Sequence, residues 1–142
     1  DQFTAVGPSV MLLRTHAENF TLILHELATN AVKYGALRCC GGPSGRVRVT
    51  WSVRKNGNAP ARLRLQWLER GGPPVTPTSK RGFGMTILCD RGKAITNDEA
   101  RLVFEPAGLR YVVTTFLERG GGRASGIGEP KHARMAIQRV TQ

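Results

Sequence analysis

Hydrophobic and polar residues follow two different periods along the chain. The short apolar runs Phe3–Val6 and Val10–Leu13 are typical of strands. From Thr15 to Gly35 the apolar residues recur at helical spacing, which predicts a helix buried on the face that carries Phe20, Ile23, Leu24, Leu27, Ala28 and Ala31. Thr15 and Glu18 fit the T-x-x-E capping box, so Thr15 is the predicted N-cap.

Strict alternation then predicts two half-buried antiparallel strands. Along Arg46–Arg54, valines and a tryptophan face one side and arginines, Thr and Ser the other. After a turn, Leu63, Leu65 and Trp67 again alternate with polar residues. Period two puts Glu69 on the inner side with Trp67, where an unpaired carboxylate is costly to bury. One of the many arginines is a candidate partner.

The rest of the chain completes an α+β pattern. A proline-containing loop ends in Lys-Arg-Gly-Phe-Gly, and a second helix begins in Met85–Cys89 and ends by Gly92. Two further strands follow, Arg101–Phe104 and Tyr111–Leu117. We therefore predict a two-layer sandwich whose mostly antiparallel sheet is covered on one face by helices.

The composition changes after this pattern ends, so we divide the chain into a domain (1–119) and a tail (120–142). The stretch GGGRASGIG resembles a linker. Beyond it, a short basic helix starting at Pro130 is predicted from the spacing of Ala133, Ala136, Ile137 and Val140. This helix could dock on the domain, bind a partner or be a frayed end.

Length and charge narrow the function. With 142 residues the chain forms one domain, and we expect a fragment of a longer protein because it starts without Met. The net charge of +11 predicts attraction to nucleic acid, nucleotide phosphates or an acidic protein. Cys39, Cys40 and Cys89 match neither a disulfide framework nor a zinc site, so we expect reduced thiols. No apolar run is long enough to span a bilayer, and the first residues, DQFTAVG, lack the charged and long apolar regions of a signal peptide.

The first helix carries an unexpected polar stripe within HELATNAVKYGAL, residues 25–37. At helical spacing Asn30 lies about 40° from Glu26, and Lys33 about 20° on its other side. A carboxylate, an amide and an ammonium group therefore share one narrow face. That face is either solvated or turned toward a ligand.

Two more motifs accompany the stripe. Trp67–Pro73 reads W-L-E-R-G-G-P, and Arg81–Gly84 reads R-G-F-G at the start of the second helix. Taken singly, the G-x-G could be ordinary turn chemistry, and Trp67 could be plain core packing. A G-x-G at a helix start also offers free backbone N–H groups to phosphates.

Together these motifs resemble one family. HELATNAVKYGAL is similar to the N box of bacterial histidine-kinase ATPase domains of the HWE type, whose name refers to an N-box His and a later Trp-x-Glu. Here those residues are His25, Trp67 and Glu69, and the following GGP and GFG also match. The resemblance covers roughly Val10 to Leu117, although no segment resembles the dimerising hairpin with the phosphoacceptor histidine.

The resemblance implies a Bergerat-type fold, with an ATP site between the helices and a lid loop (residues 74–80). Glu26, Asn30 and Lys33 would act in catalysis, with Asn30 binding Mg²⁺ and Glu26 a possible second ligand. Glu69 would accept a hydrogen bond from the adenine amine. His25 is assigned either to packing or to a phosphate or lid contact. The implied ATP-binding set is His25, Asn30, Lys33, Tyr34, Trp67, Glu69, Gly71, Gly72, Lys80, Arg81, Gly82, Phe83 and Gly84.

The resemblance also implies a cytoplasmic sensor kinase. Its expected partners are a histidine-containing dimerisation domain, a response regulator, and a second copy in a full-length homodimer. The alternatives are a serine kinase that regulates a partner protein, a degenerate nucleotide sensor, and a basic nucleic-acid-binding module that uses the outer arginines of Arg46–Arg64.

Overall fold

A five-stranded mixed sheet forms the frame of the molecule. The computed structural model describes residues 1–38, 45–73, 88–93, 100–117 and 132–135. The strands are β1 (Phe3–Val6), β3 (Arg46–Arg54), β4 (Ala61–Arg70), β5 (Ala100–Glu105) and β6 (Gly108–Leu117). Their order is β1-β3-β4-β6-β5, and every neighbouring pair is antiparallel except β1 with β3. The predicted strands of this sheet are confirmed.

Helix α1 (Arg14–Lys33) covers one face of the sheet. Its buried side chains are those of Phe20, Ile23, Leu27 and Ala31. They join a single core with the inward residues of β3, β4 and β6, chiefly Val47, Val49, Leu63, Leu65, Trp67, Tyr111 and Val113. Residues 88–93 are also helical and belong to this layer, since Leu88 is buried in the same core. The predicted two-layer α+β sandwich is therefore confirmed.

The predicted N-cap of α1 is wrong. Strand β2 (Val10–Leu13) runs into the helix without a connecting loop, so Leu13 is the N-cap and no side chain caps the helix. Thr15 already lies inside the first turn, whereas a capping residue needs extended backbone. Glu18 instead accepts a hydrogen bond from Arg14 Nε at 2.9 Å.

The predicted tail helix is wrong over its first residues. His132–Met135 forms strand β7, which pairs antiparallel with β2 in a separate two-stranded sheet. Strand β2 is not part of the five-stranded sheet, so its backbone groups need another partner, and β7 supplies it. Residues 136–142 and the linker lie outside the described part, and the division at residue 119 stays a prediction.

The helix layer contains no membrane span. No helix of the described residues is both long enough and apolar enough to cross a bilayer.

Candidate functional site

The polar stripe of α1 lies away from the core and has no partner among the residues that the structure describes. Glu26 and Asn30 are half-buried, and Lys33 is exposed, while Leu27 and Ala31 on the adjoining face are fully buried. Within the described residues, no hydrogen bond or ion pair engages the side chain of Glu26 or Asn30. Both oxygen-bearing groups are therefore available to a ligand, beside a rigid apolar face that fixes their positions.

His25 and Tyr34 lie toward solvent. His25 is exposed, so it does not pack in the core, and its backbone oxygen accepts a hydrogen bond from Thr29 Oγ1 at 2.8 Å. Tyr34 is 69% exposed at the C-cap of α1. An aromatic ring this open has no structural role in the core and is accessible to a ligand at the end of the helix.

Glu69 connects the sheet to the end of α1. The residue is 3% exposed. Its Oε1 accepts a hydrogen bond from Trp67 Nε1 at 2.9 Å, and its Oε2 accepts one from the backbone N–H of Ala36 at 3.1 Å. Burial raises the pKa of the Glu69 carboxyl, and the two hydrogen bonds partly oppose that increase. Its partners are an indole and a backbone amide, rather than an arginine.

Trp67 is a core residue as well as a hydrogen-bond donor. It is 1% exposed, and its ring meets Phe3 edge-on with 6.0 Å between the ring centroids. The plain packing role is therefore present. Each Glu69 oxygen accepts one protein hydrogen bond and keeps a second lone pair, so the carboxylate has acceptor capacity left.

Gly71 and Gly72 adjoin the same helix end. Gly71 has φ +73°, a conformation that favours glycine. A Cβ at Gly72 would lie 2.8 Å from the backbone N and Cα of Ala36, so the chain approaches α1 too closely for a side chain. Gly35 has the same property, since its Cβ would overlap Glu69 Oε2. Packing against the Ala36 backbone accounts for Gly72, and packing against the Glu69 carboxylate accounts for Gly35, without a ligand.

Spacing in the sequence did not reveal the contacts of Gly35 and Ala36 with Glu69. Gly35 lies just past the end of α1 at Lys33, and its N–H bonds to the carbonyls of Ala31 and Asn30. Its role in making room for Glu69 depends on contact with a residue far along the chain. No local signal marks Ala36 as the donor.

The remaining predicted site residues lie outside the described part of the chain. These are the lid loop (74–80) and the phosphate-binding set Lys80, Arg81, Gly82, Phe83 and Gly84. The next described residues, 88–93, are helical. The Leu88 carbonyl accepts a hydrogen bond from Tyr111 Oη at 3.1 Å, which fixes the segment to β6.

The donor set among the described residues is compatible with Mg²⁺. The described residues contain no cluster of three or more His, Cys, Asp or Glu side chains that could bind a metal. Mg²⁺ usually keeps several waters and takes one or two protein oxygens together with substrate phosphates. The unpartnered oxygens of Asn30 and Glu26 fit that mode of binding.

Comparison with known proteins identifies the chain. A blue-light-activated histidine kinase of Brucella anthropi is 34% identical over 103 residues, which are 72% of this chain and 20% of that protein. Blue-light-activated histidine kinase 1 of Erythrobacter litoralis is 38% identical over 117 residues, covering 80% of this chain and 30% of that protein. The chain therefore belongs with the histidine-kinase catalytic domains. No protein-family profile matches it.

Solved structures agree with this histidine-kinase-type fold. A blue-light-activated histidine kinase from Erythrobacter litoralis superposes with a TM-score of 0.64 at 19% identity, over 82% of this chain and 35% of that one. The histidine kinase domain of the same protein gives 0.60 at 15% identity, over 82% and 51%. The chain thus spans a fifth to a third of the two curated relatives, whose names assign the light response to those proteins.

Proposed function

We propose that this chain is the ATP-binding catalytic domain of a sensor histidine kinase of the HWE type. It transfers the γ-phosphoryl group of ATP to a histidine on a dimerisation domain outside the chain. The observation that carries the proposal is the 34–38% identity to histidine kinases over most of the chain. The free polar stripe of α1 supports it, as do His25, Trp67 and Glu69 at the positions that give the HWE type its name.

Each residue of the stripe has a defined function in the proposal. The Asn30 side-chain oxygen holds Mg²⁺, which when bound offsets charge on the phosphate oxygens. Glu26 is a second metal contact or orients the reacting group. Lys33, exposed at the last turn of α1, neutralises phosphate charge. Because phosphoryl transfer depends mostly on positioning and electrostatics, a rigid helix is a suitable base for these groups.

In the proposed ATP site, Glu69 selects the base. Glu69 accepts hydrogen bonds and cannot donate them while ionised, which suits the adenine amine and disfavours the guanine carbonyl. Tyr34, Gly71 and Gly72 border the base-binding part of that site. The loop 74–80 and Arg81–Gly84 complete the phosphate side in the proposal.

The partners follow from the reaction. The proposal includes a histidine-containing dimerisation domain, a homodimer of the full-length protein, a response regulator that receives the phosphoryl group, and a cytoplasmic location. If label transferred from ATP to a supplied dimerisation domain is acid-stable on serine rather than acid-labile on histidine, the serine-kinase alternative replaces this one.

Calorimetric titration of the full chain tests the nucleotide site. We expect ATP to bind in the presence of Mg²⁺ and GTP to bind at least about tenfold more weakly, because adenine presents an amine to Glu69 at the position where guanine has a carbonyl oxygen. Asn30→Ala should remove the Mg²⁺ dependence of ATP binding, whereas Thr29→Ala, one residue away and bonded to the His25 carbonyl, should retain it. Unchanged Mg²⁺ dependence in Asn30→Ala would refute the metal assignment, and equal binding of GTP would refute the role of Glu69.

A further inference from the structure

The face of the sheet opposite α1 is strongly basic, and we call it the arginine face. It consists of the outward residues of the five-stranded sheet. The cross-strand register places eight arginines on it: Arg46, Arg48, Arg54, Arg62, Arg64, Arg70, Arg101 and Arg110. Glu105 is the one acidic residue at the outward positions of these strands.

Most of this charge has no internal partner. Glu105 pairs with Arg70 and Arg110, and the hydrogen bond from Arg70 is the main reason that its pKa is lowered. Among the described residues, no ion pair or hydrogen bond engages the side chains of Arg48, Arg64 and Arg101. The Nη1 of Arg70 is buried and also finds no acceptor in the described part of the chain. The arginine face therefore carries more guanidinium hydrogen-bond donors than the described residues provide acceptors for.

The register also brings like charges together. Arg54 lies directly opposite Arg62, and Arg46 directly opposite Arg70. Like charges in directly opposed positions destabilise an antiparallel pair. The Arg62 guanidinium lies over the Phe116 ring, 5.3 Å from its centroid, on the β6 side and away from Arg54. An arrangement that costs stability in the free domain suggests an anionic ligand that compensates it.

The same face contains a concavity of about 450 Å³. Its lining offers the guanidinium groups of Arg54, Arg62 and Arg64 together with the hydroxyls of Ser52 and Thr114. None of the described residues that line it is acidic. Guanidinium forks bind carboxylates in a bidentate manner, so the concavity is suited to acidic side chains.

Apolar residues between the arginines favour a protein partner. Leu68 and Val112 are half-buried near the centre of the face, and Val103 is 45% exposed beside them. An apolar centre with arginines around it is typical of protein interfaces, where Arg is enriched. Phe116 is the one exposed aromatic on the described outward positions, and Arg62 already covers it. Trp51 also borders the concavity, but it is half-buried and its indole N–H donates to the Pro8 carbonyl, so few aromatic faces are open for base stacking.

The size of the face is adequate for such a partner. Five strands about 4.8 Å apart and up to about 30 Å long give a face of roughly 600 Å². A standard interface buries about 800 Å² on each partner, so the sheet face and its rim are sufficient.

We propose that the arginine face binds the acidic surface of a partner protein, with carboxylates on Arg54, Arg62 and Arg64 and apolar side chains on Leu68 and Val112. This goes beyond the proposed kinase function. It is independent of that function because the arginine face and the α1 stripe lie on opposite sides of the sheet.

Selection from a displayed random-peptide library tests the proposal, with the full chain as bait. We expect recovered peptides to be rich in Asp and Glu with apolar residues between them. Arg54→Gln with Arg64→Gln should weaken the affinity of a recovered peptide about tenfold or more, corresponding to two lost charge-assisted contacts. The matched control is Arg91→Gln with Lys93→Gln, which removes the same charge from exposed positions in the helix layer. It should change the affinity less than about twofold.

Three outcomes would overturn the proposal. The first is recovery of no acidic peptides, and the second is equal loss of affinity in the arginine-face variant and the control. The third is tighter binding of duplex DNA or phosphatidylserine vesicles than of any acidic peptide, which would assign the face to nucleic acid or membrane instead. Arg48→Gln with Arg101→Gln, on the same face, replaces the first variant if thermal unfolding shows that it has lost its fold.

Discussion

At the scale of single residues, Glu69 shows how a buried carboxylate is satisfied without a cation. One oxygen accepts from an indole and the other from the backbone at the end of α1. A salt bridge in this position would need a second buried charge, with its own desolvation cost. Two neutral donors avoid that cost and also fix the distance between the sheet and the helix end.

Glu69→Gln should destabilise the domain even though it removes a buried charge. A glutamine amide presents one oxygen and one NH₂ group, so one of the two donors, Trp67 Nε1 or Ala36 N–H, would face another donor. We expect a loss of about 1–3 kcal/mol in the free energy of unfolding, measured by urea denaturation. The matched control is Glu26→Gln, where the carboxylate has no described partner, and it should change stability by less than about 0.5 kcal/mol.

The effect of Glu69→Gln on stability should also depend on pH. Because the folded-state pKa of Glu69 is raised above its ordinary value of 4.5, the folded protein holds the proton more tightly than the unfolded chain. The contribution of Glu69 to stability is therefore greatest below pH 4.5 and falls as pH rises through the folded-state pKa. The stability difference between wild type and Glu69→Gln should be larger at pH 5 than at pH 8. An equal difference at both values would contradict the raised pKa.

At the scale of elements, contacts with the strands fix both ends of α1, and no side chain caps its N-terminus. At its start β2 leads straight into the first turn. At its end the Gly35–Ala36 backbone packs against Gly72 and bonds to Glu69. The polar stripe therefore keeps a fixed depth relative to the sheet, as the proposed phosphate-binding role of α1 requires.

Gly72→Ala should disturb this helix end. Its Cβ would meet the backbone of Ala36 at 2.8 Å, and backbone cannot move aside as a flexible side chain can. We expect a loss of about 1–3 kcal/mol in the free energy of unfolding, together with weaker ATP binding. The control is Gly57→Asn in the β3–β4 turn, where φ is +50° and nothing lies within 4 Å of an added Cβ. Asparagine tolerates that conformation, so this variant should be near neutral, and equal losses in both would contradict the packing argument.

At the scale of the whole molecule, the sheet has one apolar face and one basic face. Its inner face buries the core and supports α1, and its outer face collects the arginines. Charge of one sign concentrated on one surface repels itself, and salt screens it over about 10 Å at 0.1 M.

The thermal midpoint should therefore rise with salt. Between 20 and 300 mM NaCl we expect an increase of about 3–6 °C, measured by circular dichroism. Arg54→Gln with Arg64→Gln should raise the midpoint at 20 mM and reduce the increase, because it removes charge where arginines crowd. Arg91→Gln with Lys93→Gln should have a smaller effect. Identical salt responses in the two variants would show that net charge, rather than its position, sets the repulsion.

Sequence patterns predicted those features that depend on neighbours along the chain. Alternation identified β3 and β4 and placed Glu69 on the inner face, because period two alone determines which side a residue occupies. The Ala36 partner of Glu69 and the β2–β7 pairing depend on segments distant in sequence, so no local pattern contained them. The tail has apolar residues at helical spacing, yet strand pairing overrides that preference over His132–Met135.

The long separation between α1 and β6 has a consequence during protein synthesis. The helix ends at Lys33, whereas β6 begins at Gly108 and supplies Tyr111 and Val113 to the core beneath it. At roughly 5–20 residues per second, the ribosome makes the strand about 4–15 s after the helix. Throughout that interval Phe20, Ile23 and Leu27 lack their full cover, so the nascent chain is exposed to aggregation and to chaperones before the domain can close.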